Sequence, residues 1–260
     1  MLFMIDTHCH LTDKRLASNI DAVLDRARKA GVRAFLCAAS SATDSEAAAA
    51  LAASKHGVYC TAGIHPHDAS RMDPADLDRI ESLAENPRCV AIGEIGLDYH
   101  YGFSPRPSQK QVFASQLQLA ARIGTRVVIH TREAFEDTMS VLMESEIDMT
   151  SVLFHSFAGE PGECKRILDS GASISFSGIV TFKNAPQTRQ AAAMVPDDRI
   201  LAETDCPYLS PEPVRKEKIN EPSNLIHVVR RLAELRKVPL DGFRETLVKN
   251  AGKILGLHPA

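Results

Sequence analysis

The residues best suited to chemistry in this chain stand at the ends of short apolar runs. Imidazole and carboxylate groups are costly to bury there without a partner. One pair of histidines closes the first run and four later runs each end on one such residue, giving His8, His10, Glu94, His130, His155 and Asp205. Four imidazoles and two carboxylates are ligands that divalent cations accept, so the set predicts a centre for two metal ions.

Short β-branched runs alternate along the chain with longer amphipathic segments, which is typical of βα units around a parallel sheet. The predicted strands cover residues 3–8, 34–38, 58–63, 90–94, 126–130, 151–155, 173–177 and 200–205. Helices are predicted over residues 19–29 and 108–123 and from Asp73 onward, with glycines at the expected helix ends, at Gly31, Gly124 and Gly171.

Eight such units predict a (β/α)8 TIM barrel of the metal-dependent hydrolase type, whose reactive groups lie at the carboxyl ends of the strands. The alternative is an open doubly wound sheet. That fold binds its ligand at one switch point and would not gather residues from five strands.

Length and composition bound the class of protein. A chain of 260 residues with 44% apolar residues suits one barrel domain over residues 1–260. The six cysteines are scattered without a CxxC pair, which favours a reducing compartment. No stretch has the pattern of a signal peptide or a membrane span. We therefore predict a cytoplasmic protein that avoids membranes, a monomer without a protein partner.

The charge of the chain limits how it could meet nucleic acid. A formal net charge of −3 argues against a broad surface for duplex nucleic acid, which usually carries an obvious basic excess. Any attraction for phosphate must be local. Basic residues near the predicted centre, each of which could be an ordinary solvated charge, are Arg106, Lys110, Arg132, Lys183, Arg215, Lys216 and Lys218.

Strand periodicity predicts two side chains that support the centre, because residues two apart on a strand share a face. Asp6 shares a face with His8, and Glu203 shares one with Asp205. Both carboxylates are placed just below the ligands, where they could accept the second N–H of a metal-binding histidine and fix its orientation. A buried salt bridge inside the barrel is the alternative.

Short motifs run through the chain from end to end. They are DTHCHL (6–11), GIHPH (63–67), IGEIGLDY (92–99), QLQLA (116–120), VIHTR (128–132), FHSFAG (154–159), SGIVTFK (177–183), ETDCPYL (203–209) and NEP (220–222). In this order they resemble the TatD-type metal-dependent deoxyribonucleases, a branch of the amidohydrolase-like barrels. Two positions depart from the family pattern: HSFAG stands for HCFSG, and Cys206 stands for the usual serine. Neither is a ligand position.

The resemblance implies the same six ligands and distributes them over two metals. One metal would take His8, His10 and Asp205, the other His130 and His155, and Glu94 would bridge them. Asp205 could also accept a proton from the attacking water, so we predict Asp205 and Glu94 as the catalytic residues. The donor set admits Mg²⁺, Zn²⁺, Mn²⁺ or Ni²⁺.

Two further residues are predicted to contact substrate. His65 follows the third strand, and Arg132 shares a strand face with His130, so both could meet a phosphate oxygen. Aromatic side chains near the same mouth could stack on unpaired bases or simply pack the long loops; they are Tyr99, Tyr101, Phe103 and Tyr208.

The family resemblance implies hydrolysis of phosphodiester bonds in DNA. Metals recessed in a barrel mouth admit a frayed 3′ end more easily than the middle of a duplex, so we predict a 3′-5′ exonuclease that prefers single strands. Two alternatives stay open. One is a hydrolase of small amides, esters or lactones, since a fold does not choose its substrate. The other is a metal-binding barrel without catalysis.

Overall fold

The computed structural model describes residues 3–258 of the chain. Parallel strands form one eight-stranded sheet, and each strand pairs with the next in sequence. The strands are β1 (Met4–Cys9), β2 (Val32–Cys37), β3 (Val58–Ala62), β4 (Cys89–Asp98), β5 (Arg126–Arg132), β6 (Val152–Phe154), β7 (Ser173–Phe176) and β8 (Ile200–Ala202). Every predicted strand is present.

Helices lie between the strands and after the last one. They are α1 (Lys14–Ala17), α2 (Ile20–Lys29), α3 (Ala42–Ser54), α4 (Ala75–Ala84), α5 (Arg106–Ile123), α6 (Phe135–Glu144), α7 (Pro161–Ser170), α8 (Pro186–Met194), α9 (Leu225–Arg236) and α10 (Leu240–Leu255). Short 3-10 turns cover Pro66–Arg71, Met149–Ser151, Gly178–Thr181 and Pro222–Asn224. Within residues 3–258, every helix falls short of the length and apolar character that a membrane crossing requires.

The sheet closes where the chain that follows β8 meets the end of β1. The backbone N–H of His10 donates to the carbonyl of Cys206 at 2.7 Å, and the N–H of Asp205 donates to the carbonyl of His8 at 3.0 Å. The hydroxyl of Thr7 donates to the carbonyl of Ala202 at 3.0 Å. The predicted (β/α)8 barrel is therefore confirmed, and the open sheet is excluded. The single-domain interpretation of residues 1–260 stays a prediction, and residues 1–2 and 259–260 lie outside the described range.

The helices pack on the barrel through apolar residues at helical spacing. In α9 the buried side chains recur three and four residues apart, at Leu225, Val228, Val229, Leu232 and Ala233. This spacing places them on one face, which packs against the barrel while Arg230 and Glu234 face solvent. Helices α5 and α7 end on Gly124 and Gly171, whose φ angles of 67° and 105° glycine adopts at little steric cost.

Two strand ends differ from the predicted ones by three residues or more, and both differences affect the mouth of the barrel. Strand β4 runs on to Asp98, four residues beyond the predicted end at Glu94. Strand β8 ends at Ala202, so Glu203 and Asp205 lie in the loop that follows it. Asp205 has a positive φ of 55°, a conformation that short polar side chains tolerate better than most residues do.

Strands β4 and β5 approach each other closely at Gly96. Its φ is +140°, and a Cβ atom added there would lie 2.0 Å from the carbonyl oxygen of His130. That neighbour is backbone and cannot rotate away. Gly96 therefore lets the strand that carries Glu94 lie against the strand that carries His130.

We expect Gly96→Ala to lower the free energy of unfolding by about 2 kcal/mol or more, because it adds overpacking to an unfavourable φ. Gly242→Ala is the matched control, since an added Cβ in that helix meets nothing within 4 Å. The control should be neutral or stabilise the protein by roughly 0.5–1 kcal/mol. Urea unfolding followed by circular dichroism measures both; equal stability of the two variants would contradict the steric argument.

Candidate metal centre

The barrel brings all six predicted ligands together at the carboxyl ends of its strands. Strands β1, β4 and β5 carry His8, Glu94 and His130 within their length. The others follow the ends of β1, β6 and β8, and are His10, His155 and Asp205. Residues separated by up to about two hundred positions in the chain therefore share one cavity mouth.

Glu94 lies at the middle of the cluster, with its side chain only 3% exposed. Its two carboxylate oxygens face different histidines. Oε2 lies 3.3 Å from Nε2 of His8 and 3.6 Å from Nε2 of His10. Oε1 lies 2.8 Å from Nδ1 of His130 and 2.8 Å from Nε2 of His155. One carboxylate thus separates two pairs of imidazoles.

Asp205 lies beside the first pair. Its Oδ1 atom is 3.3 Å from Nε2 of His10 and 3.9 Å from Nε2 of His8. Its side chain is 13% exposed, more than that of Glu94, and it lines the cavity at the mouth. Of the two carboxylates, Asp205 is therefore the one that water in the cavity can reach.

Three of the four imidazoles are held from behind by a hydrogen-bond acceptor. Nδ1 of His155 donates to Oε1 of Glu203 at 3.2 Å. Nδ1 of His10 donates to the carbonyl of Ala38 at 3.2 Å. Nε2 of His130 donates to Oδ2 of Asp98 at 3.0 Å. Each bond places the remaining ring nitrogen, with its lone pair, toward the centre of the cluster.

Lone pairs that face carboxylate oxygens at these distances repel them unless a proton or a cation lies between. In the protein without metal, second protons on His10, His130 and His155 suit that place because the pKa of each is raised, whereas burial lowers the pKa of His8. Burial opposes the charged form of His10, but its bond to Asp205 and the charge of Glu94 outweigh burial and raise the pKa to about 9. Burial likewise opposes the charged form of His155, while the charge of Glu94 raises its pKa well above the ordinary value.

The side chain of His8 gives a second indication that the residues fit a metal. It is fully buried, and neither Nδ1 nor Nε2 makes a hydrogen bond of acceptable geometry. Its ring stacks on that of His155, with the ring centres 3.9 Å apart. A buried imidazole without a partner is costly, and a cation at Nε2 would remove that cost.

Ligand atoms close enough for one ion occur in three overlapping groups. In each group the atoms lie within 4.8 Å of one another: His8, His10 and Glu94; His8, His155 and Asp205; and His65, Glu94 and His130. Every predicted ligand belongs to at least one group. Because two of the groups share Glu94 but no histidine, the donor set has room for two ions.

The structure places Asp6 differently from its predicted position. Its carboxylate accepts hydrogen bonds from the backbone N–H of Thr204 at 2.9 Å and the hydroxyl of Thr204 at 2.6 Å, not from an imidazole. The cause is a register shift between Asp6 and Cys9 in the pairing of β1 with β2. The shift breaks the strict alternation of faces on which the prediction rests. Asp6 therefore supports the loop that carries Asp205.

Sequence reasoning missed Asp98 and His67. Asp98 is 1% exposed, and its Oδ2 accepts hydrogen bonds from His130 at 3.0 Å and from His67 at 2.9 Å. These bonds outweigh burial in keeping the pKa of Asp98 far below its ordinary value. Asp98 stands four residues after Glu94, an even spacing that places both on one face of β4. A longer predicted strand would have identified it.

The two predicted substrate residues occupy different depths. His65 is only 7% exposed; its Nδ1 accepts the backbone N–H of His67, and its Nε2 lies 3.4 Å from Oε1 of Glu94. Burial lowers the pKa of His65 to about 4, so this ring is neutral. Arg132 is exposed and lines two adjoining cavities of about 520 and 620 Å³. Arg132 thus lies open to the cavities at the mouth, whereas His65 lies among the candidate ligands.

Cys9 and Cys206 lie behind the ligands and are fully buried. Their thiols and the carboxylate of Asp6 lie within 4.8 Å of one another. Burial raises the pKa of both thiols. All six cysteines are unpaired and buried, so they act as packing residues of the barrel.

A barrel with four histidines and two carboxylates at the carboxyl ends of its strands has the architecture of the hydrolases that work with divalent cations. Comparison with known protein families supports this class. The family model described as TatD related DNase matches residues 5–256, so the chain belongs to the TatD-related DNase family. It is a metal-dependent hydrolase of that family.

Individual relatives span the whole chain. The metal-dependent hydrolase YabD of Bacillus subtilis is 33% identical, over 99% of this chain and 100% of its own. The 3′-5′ ssDNA/RNA exonuclease TatD of Erwinia amylovora is 36% identical, over 98% of this chain and 100% of its own. The crystal structure of YJJV, a TatD homologue of Escherichia coli, is 28% identical, covers 98% of both chains and superposes with a TM-score of 0.93.

We expect the native thiols to resist a disulfide reagent such as DTNB at pH 8. Burial blocks access to all six thiols, and it also suppresses the reactive thiolate of Cys37 and Cys164 by raising their pKa to about 12 and about 11. Absorbance should show well under one equivalent of thiol in about ten minutes for the folded protein. All six should react in guanidinium chloride. Rapid reaction of the folded protein would contradict the buried placement.

Proposed function

We propose that the protein hydrolyses phosphodiester bonds of DNA with two divalent cations and removes nucleotides from the 3′ ends of single strands. The observation that carries the proposal is the position of Glu94. Its two oxygens face separate histidine pairs, as expected of a carboxylate that bridges two ions. A substrate with a charged oxygen at the reacting bond is a natural match for such a pair.

These contacts support the proposed ligand sets. One ion would take His8, His10 and Asp205, the other His130 and His155, and Glu94 would contribute to both. Metal–nitrogen and metal–oxygen bonds of about 2.0–2.2 Å place two ligand atoms of one ion about 3–3.5 Å apart. The separations of 3.3 Å from His8 to Glu94 and from His10 to Asp205 fit that spacing.

Bound cations would lower the pKa of water and offset the charge that develops on the phosphodiester. The protein supplies the proton acceptor. Asp205 lines the cavity and is the more exposed carboxylate, so we assign it the proton of the attacking water. Glu94 is enclosed by imidazoles and stays ionised, since their positive charge outweighs burial and holds its pKa well below the ordinary value.

We assign recognition of the phosphate to Arg132. Its guanidinium lies over the ring of Tyr101, 4.7 Å from the ring centre, and faces both cavities at the mouth. The planar guanidinium can bind two phosphate oxygens at once. His65 would then serve the metal centre beside Glu94 rather than the loop surface, because its neutral ring accepts the N–H of His67 at Nδ1 and so carries a proton on Nε2 that can be donated to Glu94.

The choice of nucleic acid rests on the relatives. The Erwinia amylovora protein bears the name of a 3′-5′ exonuclease for single-stranded DNA and RNA, and it aligns along the entire chain. We extend that activity to this chain with DNA as the substrate. The recessed position of Glu94 and His8, both at most 2% exposed, supports entry by a strand end instead of the middle of a duplex.

We expect metal-reconstituted protein to shorten 5′-labelled single-stranded DNA progressively from its 3′ end. Separate reconstitution with Mg²⁺, Mn²⁺, Zn²⁺ and Ni²⁺ identifies the active metal, and RNA of the same sequence tests the choice of nucleic acid. Glu94→Ala should abolish the ladder. Arg132→Ala should lower kcat/KM roughly 10- to 100-fold, because a charged hydrogen bond to phosphate is lost.

The matched control is Arg231→Ala, which removes an exposed arginine of α9 that pairs with Glu234. It should leave the rate unchanged. Faster cutting of supercoiled plasmid than of the linear strand would refute the exonuclease mode. Turnover of a panel of lactones, esters and amides without any turnover of DNA would refute the phosphodiester substrate.

We expect Glu203→Gln to weaken metal binding about 10- to 100-fold, because the amide accepts the N–H of His155 less strongly and loosens its orientation. Titration calorimetry or competition with a chelating dye measures the affinity. Glu245→Gln replaces an exposed carboxylate of α10 and should change nothing. Equal metal affinities of the two variants would show that Glu203 does not contribute to metal binding.

A further inference from the structure

Exposed aromatic side chains occur only around the mouth of the barrel in the part of the chain that the structure describes. The chain has ten phenylalanines, four tyrosines and no tryptophan. Three of these rings are largely exposed: Tyr101 at 51%, Phe103 at 65% and Tyr208 at 47%. Tyr101 and Tyr208 line the same cavity as the candidate ligands, and Phe103 packs on Tyr101. Exposure of large aromatic rings to water is costly. Their grouping at the mouth of the barrel therefore indicates a site for a ligand.

Tyr101 and Phe103 form a stack on the loop that follows β4. Their ring planes differ by 14°, and the ring centres are 5.4 Å apart. The edge of His67 supports both rings, at 5.5 Å from Tyr101 and 4.9 Å from Phe103. Because the guanidinium of Arg132 also lies over Tyr101, the stack is held in place while Phe103 remains open to solvent.

Tyr208 forms a second surface on the loop that follows β8. Its ring meets His10 edge to face at 5.8 Å, and the guanidinium of Arg15 lies 4.4 Å from its centre. Arg15 is itself fixed by hydrogen bonds of 2.8 and 2.7 Å to Asp13. Strands β4 and β8 are four places apart in a barrel of eight, so the two aromatic surfaces stand on opposite walls of the mouth.

Tyr99, unlike the exposed rings, is packed against other residues of the protein. Its hydroxyl donates to Asp137 at 2.6 Å, and the guanidinium of Arg106 covers its ring at 4.1 Å. Burial raises the pKa of its hydroxyl, which the bond to Asp137 reinforces. Tyr99 therefore has its partners within the protein, whereas the outer face of Phe103 does not.

We propose that the Tyr101–Phe103 stack and Tyr208 are two opposed stacking surfaces for the unpaired bases on either side of the bond that is cut. The proposal rests on the proposed function and adds the way in which a single strand is selected. Bases in a duplex are paired and stacked on each other, so their faces are not free for these rings. In the cavity that Tyr101 and Tyr208 share, Arg132 has no carboxylate partner among the described residues and remains available for the intervening phosphate.

Binding of chemically altered strands tests the two surfaces separately. The probes are three fluorescein-labelled single strands with a phosphorothioate as the last linkage: one intact, one without the terminal base and one without the penultimate base. Fluorescence anisotropy with the metal-loaded protein gives Kd for each. Loss of either base should raise Kd for the unchanged protein roughly 5- to 100-fold, the range for stacking of one base on an aromatic ring.

The variants should each cancel one of these effects. In Phe103→Ala, removal of one of the two bases should no longer change Kd, and in Tyr208→Ala the same should hold for the other base. Phe103→Tyr and Tyr208→Phe keep a ring and should behave as the unchanged protein. Met143→Ala removes an exposed apolar side chain of α6, 63% exposed, and should retain both effects.

Two results would overturn the proposal. One is a Kd of the unchanged protein that is insensitive to both missing bases. The other is a set of alanine variants that weaken all three strands equally, since that outcome would assign the rings to loop packing or to a contact with another protein. Hydrolysis of an unmodified strand is measured in parallel. Base-dependent binding without hydrolysis would refute the proposed function and leave the stacking surfaces intact.

Discussion

The buried carboxylate of Glu94 is the constraint on which the rest of the mouth depends. An anion that is 3% exposed needs positive charge around it, and the barrel surrounds this one with imidazoles from several strands. Three of those imidazoles, His155, His130 and His10, are in turn fixed by acceptors on their far sides, at Glu203, Asp98 and the carbonyl of Ala38. The positions of these side chains are therefore set before any ion binds. The packing of the barrel offsets the free-energy cost of burying them.

Much of this arrangement could be predicted from the sequence because of the way a parallel barrel is built. Polar residues that end apolar runs are visible without a structure, and the carboxyl ends of eight parallel strands must meet at one face. The six predicted ligands converge for that reason. The eight strands were also recognisable, since each one is short, β-branched and followed by a helical pattern.

The remainder depended on features that a local pattern does not contain. Asp98 is missed because the predicted fourth strand ends at Glu94, although the even spacing of the two residues places them on one face of β4. The position of Asp6 follows from a register shift between two strands, which is a property of their pairing rather than of either sequence. The stack of Tyr101 on Phe103 is formed by an irregular loop, and no periodicity specifies such contacts.

The closure of the barrel has a consequence for synthesis of the protein. The seam is made by backbone groups of the residues whose side chains form the cluster: His8 accepts from Asp205, and His10 donates to Cys206. A nascent chain that has not yet reached residue 206 lacks both the seam and the last carboxylate. The first two histidines emerge from the ribosome long before their counterparts, so the cluster cannot assemble until translation has passed residue 206.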